Sequence, residues 1–186
     1  MSKEPLAGLL SGTVEVDETY VGGRPRKEHG KPKAKRGRGT KKVPVVALVE
    51  RGGKVRAHKI DSVSAKTLKG AIRENVDRKS RIMTDEWRSY RGIGKEFDGG
   101  HEAVNHGKGE YVRGDAHVNT SESYFALLKR GIVGSFHHVS KQHLDRYCDE
   151  FSFRWNMRQT SDSARTEAAI KGSEGKRLSY RQPIGR

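Results

Sequence analysis

Three acidic residues, well separated along the chain, stand at the predicted ends of secondary structure elements. Asp17 follows a predicted strand at 13–16, and Asp85 directly follows a predicted strand at 80–84. Glu122 lies at the start of a predicted helix. Rigid elements can hold such side chains in one cleft, and carboxylates that meet there suit divalent cations and phosphoryl transfer. These three acids are therefore the candidate catalytic and metal-binding residues.

The expected cofactor is Mg²⁺, with two ions that bridge the acids and clamp both oxygens of an in-line displacement. Mn²⁺ is expected to substitute for it. Without a cation the three carboxylates repel one another, so the site should bind protons or metal readily.

Each of the acids also has an ordinary structural explanation. Asp17 and Asp85 could be turn residues at strand ends. Asn119 and Glu122 have the spacing of a capping box, with Asn119 as the N-cap and Glu122 reaching back to its backbone N–H. The acidic pair 149–150, on the next predicted helix, is a rival for the third position. The residues alone leave these alternatives open.

The composition predicts a polyanionic partner such as nucleic acid. The 186 residues include 38 Lys and Arg against 23 Asp and Glu, which gives a formal net charge of +15. No apolar run approaches the roughly 20 residues of a membrane span. Cys148 is the only cysteine, which excludes an internal disulfide and a zinc ribbon built on paired cysteines. A lone cysteine fits a reducing compartment, and we expect a cytoplasmic protein.

The order of predicted elements indicates the fold class. Three strands form an antiparallel meander, followed by a helix, a fourth strand, a weaker fifth strand and two helices. That order fits an α/β fold, a ribonuclease-H-like mixed sheet flanked by helices, in which the first and fourth strands are neighbours. Asp17 and Asp85 would then meet, and a later helix would bring Glu122 to them. The predicted strands are 13–16, 43–49, 55–60, 80–84 and 101–106, and the helices are 64–76, 119–130 and one from 140.

Basic segments flank the predicted core. Residues 1–12 are predicted to be a leader, 13–158 the catalytic domain and 159–186 a basic tail. A basic loop at 24–42 lies between two predicted core strands and has no apolar periodicity. It is either a solvated linker or an arm that grips phosphate. Its candidate DNA-binding residues are Lys35, Arg36, Arg38, Lys41 and Lys42.

Four segments together resemble a known family. They are VDETYVGG at 16–23, TDEWRSY at 84–90, HVNTSESYFALLKR at 117–130 and YCDEFSFRWN at 147–156. These segments resemble the catalytic domain of bacterial insertion-sequence DDE transposases, in the ISXO-type subgroup related to eukaryotic Merlin elements. The resemblance runs from about residue 13 to residue 178, and the four motifs follow in the family's order.

The resemblance implies a DNA transposase that cleaves element ends with a divalent metal and joins the freed 3′-OH to target DNA. Asp17 and Asp85 match the two catalytic aspartates of that family, and Glu122 matches its third acid. Some relatives have asparagine in the third position, so Asn119 is a possible third ligand.

The resemblance also implies partners. Lys129 matches the basic residue that follows the third acid, and Lys129 and its neighbour Arg130 are candidate DNA-binding residues. We expect double-stranded DNA as element end and as target, a homodimer on DNA, and a place at the bacterial nucleoid. Full members of the family carry a zinc-ribbon or helix-turn-helix region before the first aspartate, whereas 16 residues precede Asp17 here. End-specific DNA recognition and activity of this chain alone therefore stay open.

Two other functions stay open at this point. A ribonuclease-H-like nuclease or resolvase would use the same metal and acids but would only hydrolyse DNA. A non-catalytic, basic DNA-binding remnant of a transposase would need no acids, and the presence of all three argues against it. An assay with a 3′-OH element end separates the enzymes, because joining indicates a transposase and cutting alone indicates a nuclease.

Overall fold

Five strands form one mixed sheet in the part of the chain that the structure describes. The computed structural model describes residues 8–23, 40, 42–105 and 112–175. No helix in these residues is long and apolar enough to cross a membrane. The strands are β1 (Thr13–Val21), β2 (Val43–Glu50), β3 (Val55–Lys59), β4 (Arg81–Asp85) and β5 (His101–Val104), and the α-helices are α1 (Ala65–Asn75), α2 (Asn119–Gly131), α3 (Leu144–Asn156) and α4 (Asp162–Lys171).

The strand pairing confirms the predicted fold class. The order across the sheet is β3-β2-β1-β4-β5. β1 pairs antiparallel with β2, and β2 pairs antiparallel with β3. β4 is parallel to both β1 and β5. The first and fourth strands are therefore neighbours, as the ribonuclease-H-like architecture requires. Residues 45–49 of β2 are buried without a break, which is typical of a strand covered on both faces.

The sequence predicts that the first strand ends before Asp17, and this bound is wrong. β1 continues to Val21, and Asp17 pairs with Ala47 of β2 in mid-strand. Antiparallel pairing with β2 keeps the additional residues extended. On the other side, β1 pairs with β4 only as far as Glu15 opposite Met83. Asp17 therefore lies just beyond the end of the parallel pairing, and not beyond the end of the strand.

Helices cover the sheet on both faces. α1 packs on one face, where Val14 and Val16 of β1 join its apolar core. α2 and α3 pack on the other face, in a core that includes Val21. Successive residues of β1 thus contact different layers, since side chains alternate along a strand.

Ser64 caps α1 as predicted, because its hydroxyl accepts a hydrogen bond from the backbone N–H of Thr67 at 3.3 Å.

Some predicted bounds differ from the structure. Leu10 falls within the predicted leader, yet it is buried and its backbone N–H donates to the carbonyl of Asn75 at 2.9 Å. α3 begins at Leu144 and not at Ser140, because the N–H of His143 bonds to the carbonyl of Ser140 in a separate turn. α4 lies in the predicted tail and buries none of its side chains. Without a buried apolar stripe, its sequence lacks the period that indicates a helix.

α2 and α3 come into close contact at Gly131. A Cβ atom at this position would lie 1.9 Å from Cζ of Phe151 on α3, far inside van der Waals contact. A π-helix, Ile132–Phe136, continues α2 beyond the glycine. The ring of Phe136 packs edge-on against Tyr147, with 4.7 Å between centroids. Aromatic side chains therefore fill the interface between the two helices, and only glycine fits at position 131.

Gly131→Ala is expected to lower the free energy of unfolding by about 2 to 3 kcal/mol, because the methyl group must displace the Phe151 ring. Gly70 provides the matched control, since it is a helical glycine of α1 with no atom within 4 Å of an added Cβ. Gly70→Ala should be neutral or should stabilise by up to about 1 kcal/mol through helix propensity. Urea unfolding measures both, and equal stabilities would contradict the close contact.

Candidate active site

Asp17 on β1 and Asp85 on β4 lie on the same face of the sheet. Glu15 and Met83 are the last residues that pair between β1 and β4. Asp17 and Asp85 each lie two residues further along their strands, and residues two apart on a strand share a face. α2 covers that face and carries Glu122 in its first turn. The three candidate acids therefore come from three separate elements that meet at one side of the sheet.

Asp17 is half-buried among like charges. Its Oδ1 accepts a hydrogen bond from the backbone N–H of Glu18 at 2.8 Å, which favours the charged form. Burial has the larger opposite effect and, with repulsion from Glu18, raises the pKa of Asp17 from 3.8 to about 7. Smaller repulsions come from Asp85 and Glu122. Both acids therefore lie within electrostatic reach of Asp17, which exchanges its proton near neutral pH.

Glu18 faces the opposite side of the sheet from Asp17, as its position on the strand predicts. Its Oε2 accepts a hydrogen bond from the hydroxyl of Tyr90 at 2.8 Å. Tyr90 is fully buried in the α1 layer, and burial together with the Glu18 charge raises the pKa of the phenol. Glu18 thus adds negative charge behind Asp17 while its own carboxylate is engaged on the α1 side.

The other two candidate acids are more accessible. Asp85 is half-buried, and its Oδ1 accepts a hydrogen bond from the backbone N–H of Trp87 at 3.0 Å. This hydrogen bond is the one expected if Asp85 is a turn residue at the end of a strand. It involves only one of the two carboxylate oxygens, so it is compatible with a role as a metal ligand. Glu122 is exposed on α2. Both side chains can therefore be reached from solvent.

The predicted capping box at the start of α2 is wrong. The helix begins at Asn119 itself, and its N-cap residue is Val118, whose side chain makes no capping bond. The N–H of Asn119 donates to Nδ1 of His117 at 3.4 Å, and not to Glu122. Asn119 is exposed in the first turn, three residues before Glu122. Neither side chain is used as a cap, and Asn119 stays a possible ligand.

The residue that caps α2 is Glu15, which is not among the candidate residues predicted from the sequence. Its carboxylate accepts hydrogen bonds from the backbone N–H groups of Thr120 at 2.8 Å and Ser121 at 3.0 Å. Glu15 is in phase with Asp17 on β1, within a strand whose opposite face is apolar at this point. That spacing was the available signal, since an acid on a buried strand needs partners.

The rival pair 149–150 lies on α3, away from Asp17. α3 packs against β3 at the sheet edge, and β2 separates β3 from β1. Glu150 accepts a hydrogen bond from Nη2 of Arg154 at 2.6 Å. The geometry therefore favours Glu122 over this pair as the third acid.

The candidate DNA-binding residues lie partly within the described chain. Lys129 and Arg130 are exposed on α2, and Lys129 is about 10 Å along the helix axis from Glu122. Lys42 is half-buried and packs against Gly22, where the start of β2 meets the end of β1. Four others lie outside the described residues, namely Lys35, Arg36, Arg38 and Lys41.

The donor chemistry at the three acids suits a hard divalent cation. No group of three His, Cys, Asp or Glu side chains that could hold a metal ion is formed within the part of the chain that the structure describes. Mg²⁺ nevertheless prefers carboxylate oxygens, and the repulsion around Asp17 is of the kind that a cation relieves. Asp85 and Glu122 would supply the other carboxylates, and Asn119 could add an amide oxygen. Cation binding here would require these side chains to turn toward one another.

Asp17→Asn is expected to stabilise the folded protein at about pH 8 in the presence of a chelator. At a pH between 3.8, the ordinary pKa of an aspartate, and about 7, Asp17 is protonated in the folded state but ionised in the unfolded state. The wild-type protein therefore loses stability as the pH rises through this range, by at most about 4 kcal/mol. Asparagine removes the loss, and thermal unfolding of both proteins at several pH values measures it. A gain at about pH 8 no larger than that at about pH 4 would contradict the assignment.

Asn119→Ala is expected to change the free energy of unfolding by less than about 0.5 kcal/mol, because the side chain caps nothing. Ser64→Ala is the matched control, since Ser64 is the N-cap of α1 and bonds to Thr67. Losing that bond should cost about 1 kcal/mol. Denaturant unfolding compares the two variants. A loss in Asn119→Ala as large as in Ser64→Ala would restore the capping explanation.

Comparison with known proteins relates these features to a family. Residues 9–156 match the family model of the ISXO2-like transposase domain. The chain is 34% identical over 156 residues to a Halobacterium salinarum protein described as an uncharacterized protein in transposable element ISH50, covering 78% of this chain and 52% of that protein. Among solved structures it is similar to a chain of the Mos1 transposase paired-end complex with left transposon end, with a TM-score of 0.34 and 15% identity. That likeness covers 80% of this chain and 53% of the other.

The chain spans about half the length of each of these two relatives. On this chain the family match runs from just before β1 to the end of α3. It includes all three candidate acids. The chain therefore belongs to the family of ISXO2-like transposase domains.

Proposed function

We propose that this chain is the catalytic domain of a DNA transposase, which uses divalent cations to cleave insertion-sequence ends and to join the freed 3′-OH to target DNA. The observation that carries the proposal is the convergence of β1, β4 and α2, which carry Asp17, Asp85 and Glu122, at one side of the sheet. Burial and neighbouring charges raise the pKa of Asp17 there. Membership of the family of ISXO2-like transposase domains supports it.

In this proposal the three acids would hold the cations, with Asn119 as the alternative to Glu122. When bound, Mg²⁺ or Mn²⁺ would polarise the scissile phosphate and activate the attacking water or 3′-OH. The chain's own contribution is to present the acids and to release the proton that Asp17 holds on its carboxylate. Because a proton and a cation compete for that carboxylate, cation binding should strengthen as the pH rises through about 7.

Double-stranded DNA is the proposed substrate. The formal charge of +15 attracts phosphate at long range. Lys129 and Arg130 are exposed on the helix that carries Glu122, so DNA held there would pass near the acids. Lys42 would add a contact, and the rest of the basic loop 24–42, a homodimer on DNA and a place at the nucleoid stay predictions.

Substitution of each acid by its amide is expected to abolish DNA cleavage while the protein stays folded. Asp17→Asn, Asp85→Asn and Glu122→Gln each remove a negative oxygen donor, and cleavage should fall at least about 100-fold, or about 2.7 kcal/mol of transition-state stabilisation. The substrate is a labelled duplex in which the element end is still joined to flanking DNA, with Mg²⁺ or Mn²⁺ present, so that cleavage produces the free 3′-OH that joining uses. Cleavage and joining are measured on the same gel.

Asp77→Asn is the matched control for these variants. Asp77 accepts a hydrogen bond from the N–H of Lys79 at 2.8 Å, in the turn that precedes β4, and lies at the opposite end of that strand from Asp85. The Asp77→Asn variant should retain cleavage.

Joined product from the wild-type protein supports the transposase, cutting without joining indicates a nuclease, and binding without cutting indicates a non-catalytic module. Full cleavage in Glu122→Gln with none in Asn119→Ala would give Asn119 the third position.

A further inference from the structure

The carboxylate of Glu15 is fully buried in the interface between β1 and α2. Its side chain is 0% exposed to solvent. It faces the same side of β1 as Asp17, which lies two residues further along the strand. A carboxylate removed from water in this way is tolerated only where hydrogen bonds and opposite charge surround it.

The first turn of α2 supplies one set of partners. Oε2 of Glu15 accepts hydrogen bonds from the N–H groups of Thr120 at 2.8 Å and Ser121 at 3.0 Å, and Oε1 accepts one from the Thr120 hydroxyl at 2.9 Å. These N–H groups have no partner within the helix, and the positive end of the helix dipole favours an anion there. A side chain of the central strand therefore caps a helix more than 100 residues away in sequence.

Arg51 supplies the opposite charge from the turn between β2 and β3. Its Nε donates to Oε1 of Glu15 at 2.7 Å. The same guanidinium donates to the carbonyls of Asp115 at 2.7 Å and His117 at 2.9 Å, in the connection that leads into α2. The backbone N–H of Arg51 bonds to the carbonyl of Thr13 on β1 at 3.0 Å. One side chain thus ties the strand, the turn and the approach to the helix.

Apolar packing alone would not fix the helix in this position. The α2 side chains Tyr124, Phe125 and Leu128 are buried against the sheet, but apolar contact is non-directional and tolerates small shifts along the helix axis. Hydrogen bonds of about 2.9 Å with preferred angles tolerate much less. The bonds to Glu15 are formed at the two residues directly before Glu122. They therefore tie the backbone directly before Glu122 to β1.

We propose that Glu15 is a positioning residue for the candidate active site: its buried carboxylate, paired with Arg51, fixes the first turn of α2 so that Glu122 faces Asp17. This inference rests on the proposed function, because it assigns Glu122 a role in cation binding. Glu15 and Asp17 lie on one rigid strand, and the Glu15 contacts end next to Glu122. The path between the two acids thus runs along two residues of β1, the Glu15 side chain and one hydrogen bond, and contains no flexible loop.

The test measures Mn²⁺ affinity by calorimetry in the full chain, at a temperature at which every variant is folded. Glu15→Gln is expected to weaken Mn²⁺ binding about 10-fold, a loss typical of substitutions at groups that orient metal ligands. Asn156→Ala is the stability control, because Asn156 bonds to the backbone of Val55 at 2.7 Å, away from the first turn of α2. It should lower the melting temperature and leave Mn²⁺ affinity unchanged.

A double-mutant cycle shows whether Glu15 acts through Glu122. If it does, Glu15→Gln adds little to the loss of Mn²⁺ affinity already caused by Glu122→Gln, because the positioned ligand is gone. Independent effects that add in full would overturn the proposal. Unchanged Mn²⁺ affinity in Glu15→Gln alone would overturn it as well, while leaving the proposed function intact.

Amide hydrogen exchange gives a readout that needs no metal. Glu15→Gln should speed exchange at Thr120 and Ser121 at least about 10-fold relative to the β1 amides, whereas Asn156→Ala should not. Thr120→Val, which removes only one hydroxyl donor, serves if Glu15→Gln does not fold, and should show a smaller change in the same direction. Unchanged exchange at these amides overturns the proposal. Wild-type protein that binds Mn²⁺ no better than Asp17→Asn would instead contradict the proposed function, and the exchange data would still decide whether Glu15 fixes the turn.

Discussion

The carboxylate of Glu15 lies between the central strand and the first turn of α2, with Arg51 and two backbone N–H groups around it. Because the carboxylate is fully buried, losing any one of these partners would leave a polar atom without a hydrogen bond in the interior. The interaction therefore couples three separate parts of the chain, namely β1, the β2–β3 turn and the connection into α2. The position of Glu122 depends on this coupling, since Glu122 follows the capped turn directly.

Repulsion between Asp17 and the neighbouring acids opposes folding, but strand pairing keeps Asp17 in place. Burial and repulsion from Glu18, Asp85 and Glu122 favour the neutral form of Asp17. β1 holds the residue there because β2 pairs with it on one side and extends well past it, from Val43 to Glu50. Sites that bind cations commonly show such local conflict, because the arrangement that suits the ligand is strained without it.

Alternation along β1 gives its residues different tasks. Val14 and Val16 pack into the α1 layer, and Glu18 accepts the hydrogen bond from Tyr90 on that side. Glu15 and Asp17 face α2, where one is fully paired and the other is half-buried at the candidate site. The two acids on the α2 face differ in environment because α2 starts beside Glu15, so the helix N-terminus compensates the first charge and not the second.

The sequence by itself determined the order of the elements, the sheet with β1 beside β4 and the Ser64 cap, because these follow from local periodicity and connection rules. Tertiary structure decided the rest. β1 extends to Val21 because β2 pairs with it, and α2 is capped by Glu15 rather than by its own Asn119. Both outcomes depend on contacts between residues far apart in sequence, which local propensity does not encode. The fit of Gly131 against Phe151 was likewise decided only when two helices packed together.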